Sequence, residues 1–260
     1  NSYRKIQAGD YLISSQMSIH QILKILTNGE TAKEKITIVE GWDIEEIGDY
    51  LESKNICTKQ EFIDSANDSK WIQEFSFLKD KPQELNLEGY IFPDTYYLNK
   101  KVAADEIVET ALKKLESELD NKTLEDIEKE NKTIFEIVTM ASMIEKEVKT
   151  LEDKRLVSGV LWNRLEIGMP LQVDATVIYA MGQEKEKVYT KDTKIDSPYN
   201  TYKYRGLPLG PISNPGIDSI NAAIFPTQSN YLYYLSADNG KTIFSKTLEE
   251  HNYNKSKYLK

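Results

Sequence analysis

The end of one apolar helical segment constrains this chain more than any other feature. Residues 134–144 form a largely apolar run with helical character, and Glu145 and Glu147 follow directly after it. Carboxylates are rarely buried without a partner or a task. An apolar setting raises the pKa of a carboxyl and keeps it able to donate a proton near neutral pH. A general acid that cleaves a glycosidic bond requires this property.

Two interpretations of this helix end are open. The carboxyls either lie in an apolar setting or point to solvent beside Lys146. Helical periodicity does not choose between Glu145 and Glu147, because side chains two residues apart project roughly 200° apart and each continues an apolar stripe of the helix. The two glutamates therefore cannot share one role, and both stay candidate catalytic residues.

Composition excludes several classes of function. The 260 residues carry a formal net charge of −9 and have a pI of about 5.0. Nucleic-acid binders usually show a basic excess, and anionic membrane surfaces attract basic segments, so neither partner is indicated. Hydrophobic residues make up 40% and charged residues 29%, which is typical of a soluble globular chain. A chain of this length can bury a large core in one or two domains.

No cofactor or metal site is predicted. Cys57 is the only cysteine, and His20 and His251 are the only histidines, so no cluster has the spacing of zinc ligands. Glycine-rich phosphate-binding motifs and the G-x-S-x-G nucleophile motif do not occur. No apolar run reaches the roughly 18–20 residues of a membrane span, and no signal peptide is visible. The chain begins at Asn1 rather than Met, and we expect any anchor to lie upstream.

Short strand–helix units are predicted over the first hundred residues. Apolar triplets at 11–13 and 37–39 have strand character, and each precedes a helical pattern. Capping boxes at Asp43–Glu46 and Thr58–Glu61 predict two helix starts. An earlier helix is expected from Ser18 to Gly29.

The remainder is predicted to be mostly helical, with a C-terminal hairpin. Strands at 231–236 and 242–245 flank the turn Asp238–Asn239–Gly240. The long loop 196–226 is rich in Pro, Gly, Asn and Tyr, and loops of this length are usually functional. These elements predict an α+β fold with a domain boundary near the aromatic-rich crossing 87–97. Helices are expected over 102–119, 133–148, 153–167 and 218–225, and from Thr247 onward.

Three segments combine polar and aromatic side chains with Gly or Pro, which is typical of a carbohydrate cleft. Aromatic faces stack on sugar rings, while Asn, Gln, Asp and Thr side chains bind hydroxyls and acetamides. One segment holds the two glutamates. An alternative for 172–179 is a capped helix start with a tyrosine in the core, and for 199–202 a loop held by Asn side-chain bonds. The candidate substrate-binding residues are Gln172, Asp174, Thr176, Tyr179, Ser197, Tyr199, Asn200 and Tyr202.

At these positions the chain resembles the endolytic murein transglycosylase family, the YceG-like proteins also called MltG. The matching strings are long, occur in order and extend over nearly the whole chain. They are LEGYIFPDTY (87–96), ASMIEKE (141–147), NRLEIGMPLQVDATVIY (163–179), SPYNTY (197–202), GLPLGPISNPG (206–216), YLYYL (231–235) and FSKTLEEHN (244–252).

The resemblance implies a domain division and a location. Residues 1–86 would be a LysM-like N-terminal α/β region, of which part is missing, and residues 87–260 a mostly helical catalytic domain. The enzyme would be held at the extracytoplasmic face of the cell membrane by an N-terminal anchor absent from this chain. Its partners would be peptidoglycan glycan strands and cell-wall synthases, with no cofactor and no nucleic acid.

The resemblance also implies a reaction. Members of the family cut nascent glycan strands internally at the β-1,4 bond between N-acetylmuramic acid (MurNAc) and N-acetylglucosamine (GlcNAc), and leave 1,6-anhydroMurNAc ends. The family's catalytic glutamate lies in the string that matches 141–147, which places it at Glu147, with Glu145 as the alternative. A single glutamate would act as acid and then as base, unlike the two carboxylates of most glycosidases.

Two other functions stay open. A non-catalytic peptidoglycan-binding or scaffold protein would keep the cleft but would not need the glutamates. A hydrolytic muramidase would use Asp174 as the base for a water molecule and would leave reducing ends. Product analysis and substitution of the carboxyls distinguish these alternatives from a transglycosylase.

Overall fold

The structure is a computed structural model that describes residues 6–7, 11–28, 33–100, 102–182, 185, 187–237 and 240–259. Its strands are β1 (Lys33–Thr37), β2 (Thr95–Asn99), β3 (Tyr233–Ser236) and β4 (Thr242–Ser245). Its helices are α1 (Ile19–Asn28), α2 (Ile44–Ser53), α3 (Lys59–Ala66), α4 (Lys70–Glu74), α5 (Ala104–Glu118), α6 (Asn121–Lys129), α7 (Ile134–Glu147), α8 (Leu151–Glu166), α9 (Asp174–Met181), α10 (Ile217–Ile224) and α11 (Leu248–Tyr258).

The N-terminal part contains the two predicted capping boxes. The side chain of Asp43 accepts a hydrogen bond from Glu46 N, and the side chain of Glu46 accepts one from Asp43 N. Thr58 and Glu61 form the same reciprocal pair at the start of α3. Each cap satisfies backbone groups that a helix start leaves without partners. The positions predicted for the two strands of the N-terminal part were wrong. Residues 11–13 are not in a strand, and β1 ends at Thr37, so it overlaps the predicted strand 37–39 at that residue alone.

Strands β1 and β2 form an antiparallel pair in which Lys33 faces Asn99 and Thr37 faces Thr95. The sequence predicts a structured crossing where β2 lies, but not a strand. The pair joins residues from both sides of the boundary predicted at 86/87. One hydrophobic cluster also includes side chains from both sides, and the division into two domains stays a prediction.

Helix α7 lies at the centre of the C-terminal part. Every residue from Ile137 to Ile144 is buried, as expected for a helix whose surface is apolar on all sides. Helices α8, α9 and α10 pack against it. The loop before α10 also docks on it, because Ser142 Oγ accepts a hydrogen bond from Ile212 N at 3.0 Å and Ser213 Oγ donates to Ser142 O at 3.1 Å.

The C-terminal hairpin and last helix agree with the prediction. Strands β3 and β4 pair with Tyr233 opposite Ser245 and Ser236 opposite Thr242, and α11 begins after the cap Thr247. Asp238 and Asn239 of the predicted turn lie outside the described residues, as does the predicted helix end at Gly29. Helices combined with two small antiparallel sheets confirm the α+β class.

The described ranges of the chain contain neither a membrane-crossing helix nor a metal-binding cluster. None of the helices there has the length and apolar character needed to cross a bilayer. Nor do three or more His, Cys, Asp or Glu side chains in these ranges come together as metal ligands would.

Candidate active site

The last turn of α7 carries Glu147 toward the C-terminal hairpin. Glu147 is half-buried, and its Oε2 accepts a hydrogen bond of 3.0 Å from the hydroxyl of Tyr234 on β3. Two elements create this contact: helix α7, which ends at Glu147, and strand β3, whose Tyr234 lies 87 residues further along the chain. The carboxyl at this helix end is therefore held between helix α7 and strand β3.

The surroundings of Glu147 make it a proton donor near neutral pH. Burial raises the pKa of Glu147 to about 7. The hydrogen bond from Tyr234 lowers this pKa, the negative charge of Asp174 raises it, and the positive charge of Arg164 lowers it. Because burial dominates, the carboxyl holds a proton far more readily than an exposed glutamate does. This is the property that the sequence predicts for a general acid.

Asp174 is brought to the site by the start of α9. It is the first residue of that helix rather than its cap, which is Val173. Its side chain is exposed, and its Oδ1 accepts a short hydrogen bond from the hydroxyl of Tyr202. The loop that carries Tyr202 docks on the same segment, because Val173 N donates to Thr201 Oγ1 at 3.0 Å. The structure thus brings Asp174 and Tyr202 together.

Arg164 acts on the carboxyl of Glu147 through its charge and holds backbone carbonyls of two neighbouring segments. Its Nε donates to Leu232 O at 2.6 Å, and its Nη1 donates to Leu171 O at 2.6 Å. Only 6% of Arg164 is exposed. The guanidinium therefore links α8 to the residues before β3 and to the segment that leads into α9.

Glu145 faces a different set of partners. Its Oε1 accepts from Lys154 Nζ at 3.0 Å, and its Oε2 accepts from Gly216 N at 3.0 Å and from Ser219 Oγ at 2.7 Å. The side chains of Lys154 and Glu145 are 4% and 9% exposed. Glu145 is thus one half of a buried ion pair that ties α7 to α8 and α10.

Comparison with known proteins assigns the chain to a family. The model of the YceG-like family matches residues 1–257. The chain belongs to the YceG-like family.

Two curated relatives of this chain carry the same name. A protein of Bacillus subtilis (strain 168) named endolytic murein transglycosylase is 36% identical over 266 residues, which cover 97% of this chain and 73% of that protein. A protein of the same name from Streptococcus pneumoniae serotype 2 (strain D39 / NCTC 7466) is 31% identical over 288 residues, which cover 99% of this chain. The chain spans 52% of the length of that streptococcal relative.

A solved structure supports the fold. The crystal structure of a YceG-like protein from Listeria monocytogenes superposes with a TM-score of 0.77 at 36% sequence identity. The match covers 96% of this chain and 85% of that one.

The other predicted binding residues of this YceG-like chain divide into exposed and internal groups. Gln172 is exposed and has a φ of +53°, a left-handed conformation that is uncommon for a residue other than glycine and that concentrates at functional sites. Thr176 is fully buried and bonds Val173 O and Thr201 Oγ1. Thr176 therefore holds the loop rather than lining a surface.

Ser197 and Asn200 also act inside their loop. Ser197 Oγ accepts from Tyr199 N at 3.3 Å. Asn200 is fully buried, and its Nδ2 donates to Thr193 O and Ile195 O at 3.0 and 2.8 Å. The alternative that the sequence left open, a loop held by Asn side-chain bonds, describes Asn200.

Tyr179 and Tyr199 form an aromatic pair with a buried carboxyl behind it. Their ring centroids are 4.9 Å apart, and the hydroxyl of Tyr179 donates to Glu88 Oε2 at 3.3 Å. Glu88 also accepts from Ile44 N at 3.1 Å and from Asn214 Nδ2 at 3.0 Å. Burial raises the pKa of Glu88 to about 8. This network joins the start of α2 to the pair of tyrosines.

Several residues of the site had no role assigned from the sequence. Tyr234, Glu88 and Asn214 all lie within strings that resemble the family, which is the one signal that pointed to them. Lys154 and Ser219 lie outside those strings. Their contacts with Glu145 depend on the packing of α8 and α10 against α7.

Proposed function

We propose that this chain is an endolytic peptidoglycan lytic transglycosylase that cleaves the MurNAc-β-1,4-GlcNAc bond and leaves 1,6-anhydroMurNAc ends. The observation that carries the proposal is the half-buried carboxyl of Glu147, whose pKa is raised to about 7. The names of the curated relatives, endolytic murein transglycosylase, support the class of substrate and reaction.

In the first step Glu147 is the general acid. Its proton passes to the glycosidic oxygen, and the bond between C1 of MurNAc and that oxygen breaks with its electron pair going to the leaving GlcNAc. The carbonyl oxygen of the MurNAc acetamide attacks C1 and forms an oxazolinium-like species. A general acid works best when its pKa lies near the operating pH, and the raised pKa of Glu147 fits this demand.

In the second step the same residue is the base. The carboxylate of Glu147 takes the proton of the C6 hydroxyl, whose oxygen attacks C1 and displaces the acetamide oxygen. No water enters the product, and Glu147 recovers its proton for the next cycle. The C6 hydroxyl belongs to the same sugar, so its effective concentration at C1 is high.

Glu145 has a supporting role in this proposal. Its three donors leave it little capacity for a further partner, so it orients the last turn of α7. Exposed Gln172 and Asp174, with the half-buried Tyr179, Tyr199 and Tyr202, would line the cleft.

The wider assignment belongs to the same proposal. Residues 1–86 would form the LysM-like region and residues 87–260 the catalytic domain. Because murein lies outside the cytoplasm, the chain would act at the extracytoplasmic face of the cell membrane, joined to it by an N-terminal anchor. Glycan strands and cell-wall synthases would be its partners.

Mass spectrometry of digested, uncrosslinked glycan strands tests the reaction. We expect anhydroMurNAc ends from the wild-type chain and a loss of on the order of 100- to 10,000-fold in Glu147→Gln, because general acid–base catalysis contributes about this factor. Glu145→Gln should retain the same product. Activity in Glu147→Gln, or no product from the wild type, would overturn the proposal.

A hydrolytic muramidase is the second candidate, since Asp174 lies close enough to Glu147 to raise its pKa. In that case Asp174 would activate a water molecule, and the new ends would be reducing MurNAc. Asp174→Asn would then abolish the reaction. Anhydro ends that persist in Asp174→Asn would exclude the hydrolase.

A further inference from the structure

The two oxygens of the Glu147 carboxyl have different surroundings. Oε2 accepts the hydrogen bond from Tyr234 at 3.0 Å. Within the described part of the chain, no donor makes a hydrogen bond to Oε1. Oε1 is therefore the oxygen that is open to a proton and to a substrate.

The position of Tyr234 is set by the backbone contacts of its strand and does not depend on a bound substrate. It pairs with Phe244 of β4, and two residues earlier Leu232 N donates to Ser245 O at 3.1 Å. Arg164 Nε holds Leu232 O at 2.6 Å. Because the strand is fixed on both sides, the hydroxyl of Tyr234 is directed at Glu147 before any substrate binds.

This hydroxyl stays a donor over the whole working range of pH. Burial, followed by the charge of Glu147 and the hydrogen bond with it, raises the pKa of Tyr234 well above 10. A hydrogen bond to a carboxylate is about twice as strong as one between neutral groups. Tyr234 therefore favours the ionised form of Glu147, and opposes the effect of burial.

Three other groups act on the same carboxyl. Asp174 on α9 raises the pKa of Glu147, while Arg164 on α8 lowers it. Tyr202 in the loop before α10 interacts with both Glu147 and Asp174. Of the hydroxyls in this group, that of Tyr234 makes the direct bond to Glu147.

We propose that Tyr234 is a positioning residue that makes the two oxygens of Glu147 inequivalent. Its hydroxyl holds Oε2 by a hydrogen bond, so that Oε1 carries the proton in both steps. The inference rests on the proposed function and deepens it. In the first step the proton leaves Oε1, and the bond from Tyr234 stabilises the carboxylate that remains. In the second step the proton of the C6 hydroxyl returns to Oε1, because Oε2 already has its donor.

The test is Tyr234→Phe, which deletes one hydroxyl, compared with Tyr231→Phe on the same segment. Tyr231 packs on Phe244 with ring centroids 5.6 Å apart, and among the described residues the hydroxyl that donates to Glu147 is that of Tyr234 and not that of Tyr231. For Tyr234→Phe we expect kcat on glycan strands to fall about 10- to 100-fold with KM unchanged, the effect of one hydrogen bond to a charged group. The high-pH limb of kcat/KM should move upward by roughly one pH unit. Tyr231→Phe should match the wild type.

A measurement that needs no activity separates this inference from the proposed function. In protein labelled with ¹³C at the glutamate carboxyls, the Glu147 signal is identified by its absence in Glu147→Gln and titrated by NMR. The pKa of Glu147 should rise in Tyr234→Phe and stay at its wild-type value in Tyr231→Phe. This holds even if the wild type yields no anhydro ends, which would overturn the proposed function alone.

Two outcomes would overturn the role of Tyr234. One is a Glu147 titration that is the same in Tyr234→Phe and in the wild type. The other is an activity loss of equal size at every pH with the high-pH limb unmoved, which would make Tyr234 a structural residue. Thermal denaturation of both variants verifies that each is folded during the measurements.

Discussion

Glu145 and Glu147 lie two residues apart on the last turn of α7, yet their surroundings differ. The carboxylate of Glu145 accepts three hydrogen bonds, one of them from the buried Lys154. The carboxyl of Glu147 accepts one from the described part of the chain, donated by Tyr234. Arg164 is close to Glu147, but its Nε and Nη1 donate to the backbone carbonyls of Leu232 and Leu171.

The difference shows how one helix end can hold both a structural and a reactive carboxyl. A buried charge with a full set of donors and a counter-charge stabilises the packing around it, and removing one member leaves the other unpaired. A buried carboxyl with a single donor retains its affinity for a proton. Substitutions on the two sides of α7 should therefore change stability in opposite directions.

The largest effect on stability is expected on the Glu145 side. Glu145→Gln leaves the charge of Lys154 buried without its partner, and we expect the free energy of unfolding to fall by about 3 to 5 kcal/mol. Urea denaturation at pH 7 measures this change in the free energy of unfolding. A double variant, Glu145→Gln with Lys154→Met, should recover much of the loss.

Lys146→Gln is the control for this pair. Lys146 is 3.8 Å from Glu46, and both side chains are 36% exposed, so its loss should cost less than about 0.5 kcal/mol. If Glu145→Gln proved no less stable than Lys146→Gln, the structural role of Glu145 would be wrong.

Glu147→Gln is expected to raise the free energy of unfolding, whereas Glu145→Gln lowers it. The pKa of Glu147 is about 7 in the folded chain, against 4.5 without the fold. The native state thus binds this proton more tightly, and the contribution of Glu147 to wild-type stability falls as pH rises from about 4.5 to 7. A neutral Gln is free of this penalty. We expect Glu147→Gln to be more stable than the wild type by about 1 to 3 kcal/mol at pH 8.

At pH 4 the same variant should match the wild type, because Glu147 is then protonated in both the folded and unfolded states. Thermal denaturation at the two pH values measures the contrast. A Glu147→Gln variant that is less stable at pH 8 would mean that the carboxylate holds the fold in the way Glu145 does.

The smallest effect should come from Ser219→Ala. This change removes one of the two donors to Glu145 Oε2 and keeps Gly216 N and Lys154 in place. We expect a loss of about 1 to 2 kcal/mol in unfolding free energy, measured by urea denaturation. The exposed Ser256, whose hydroxyl bonds Tyr253 O in its own helix, is the matched control, and Ser256→Ala should change stability by less than about 0.5 kcal/mol. Equal losses from the two serines would show that the bond to Glu145 has no special strength.

Local interactions explain what could be predicted about the fold. The capping boxes at Asp43 and Thr58 join residues three apart, so the pattern is complete in a short stretch of sequence. The hairpin could be predicted for the same reason, because strands β3 and β4 are close in the chain. Strand β2 was not predicted because its partner β1 lies about sixty residues earlier, and short strands have weak signals of their own.

The sequence by itself determined the apolar character of α7, the two carboxyls at its end and the family resemblance that favours Glu147. Only the tertiary structure decided how the two differ. The partners of Glu145 and Glu147 on α10 and β3 lie 74 and 87 residues away, and helical periodicity gives both side chains an equally apolar stripe. The pKa of a carboxyl depends on burial and on nearby charges, and these come from elements that meet only when the chain has folded.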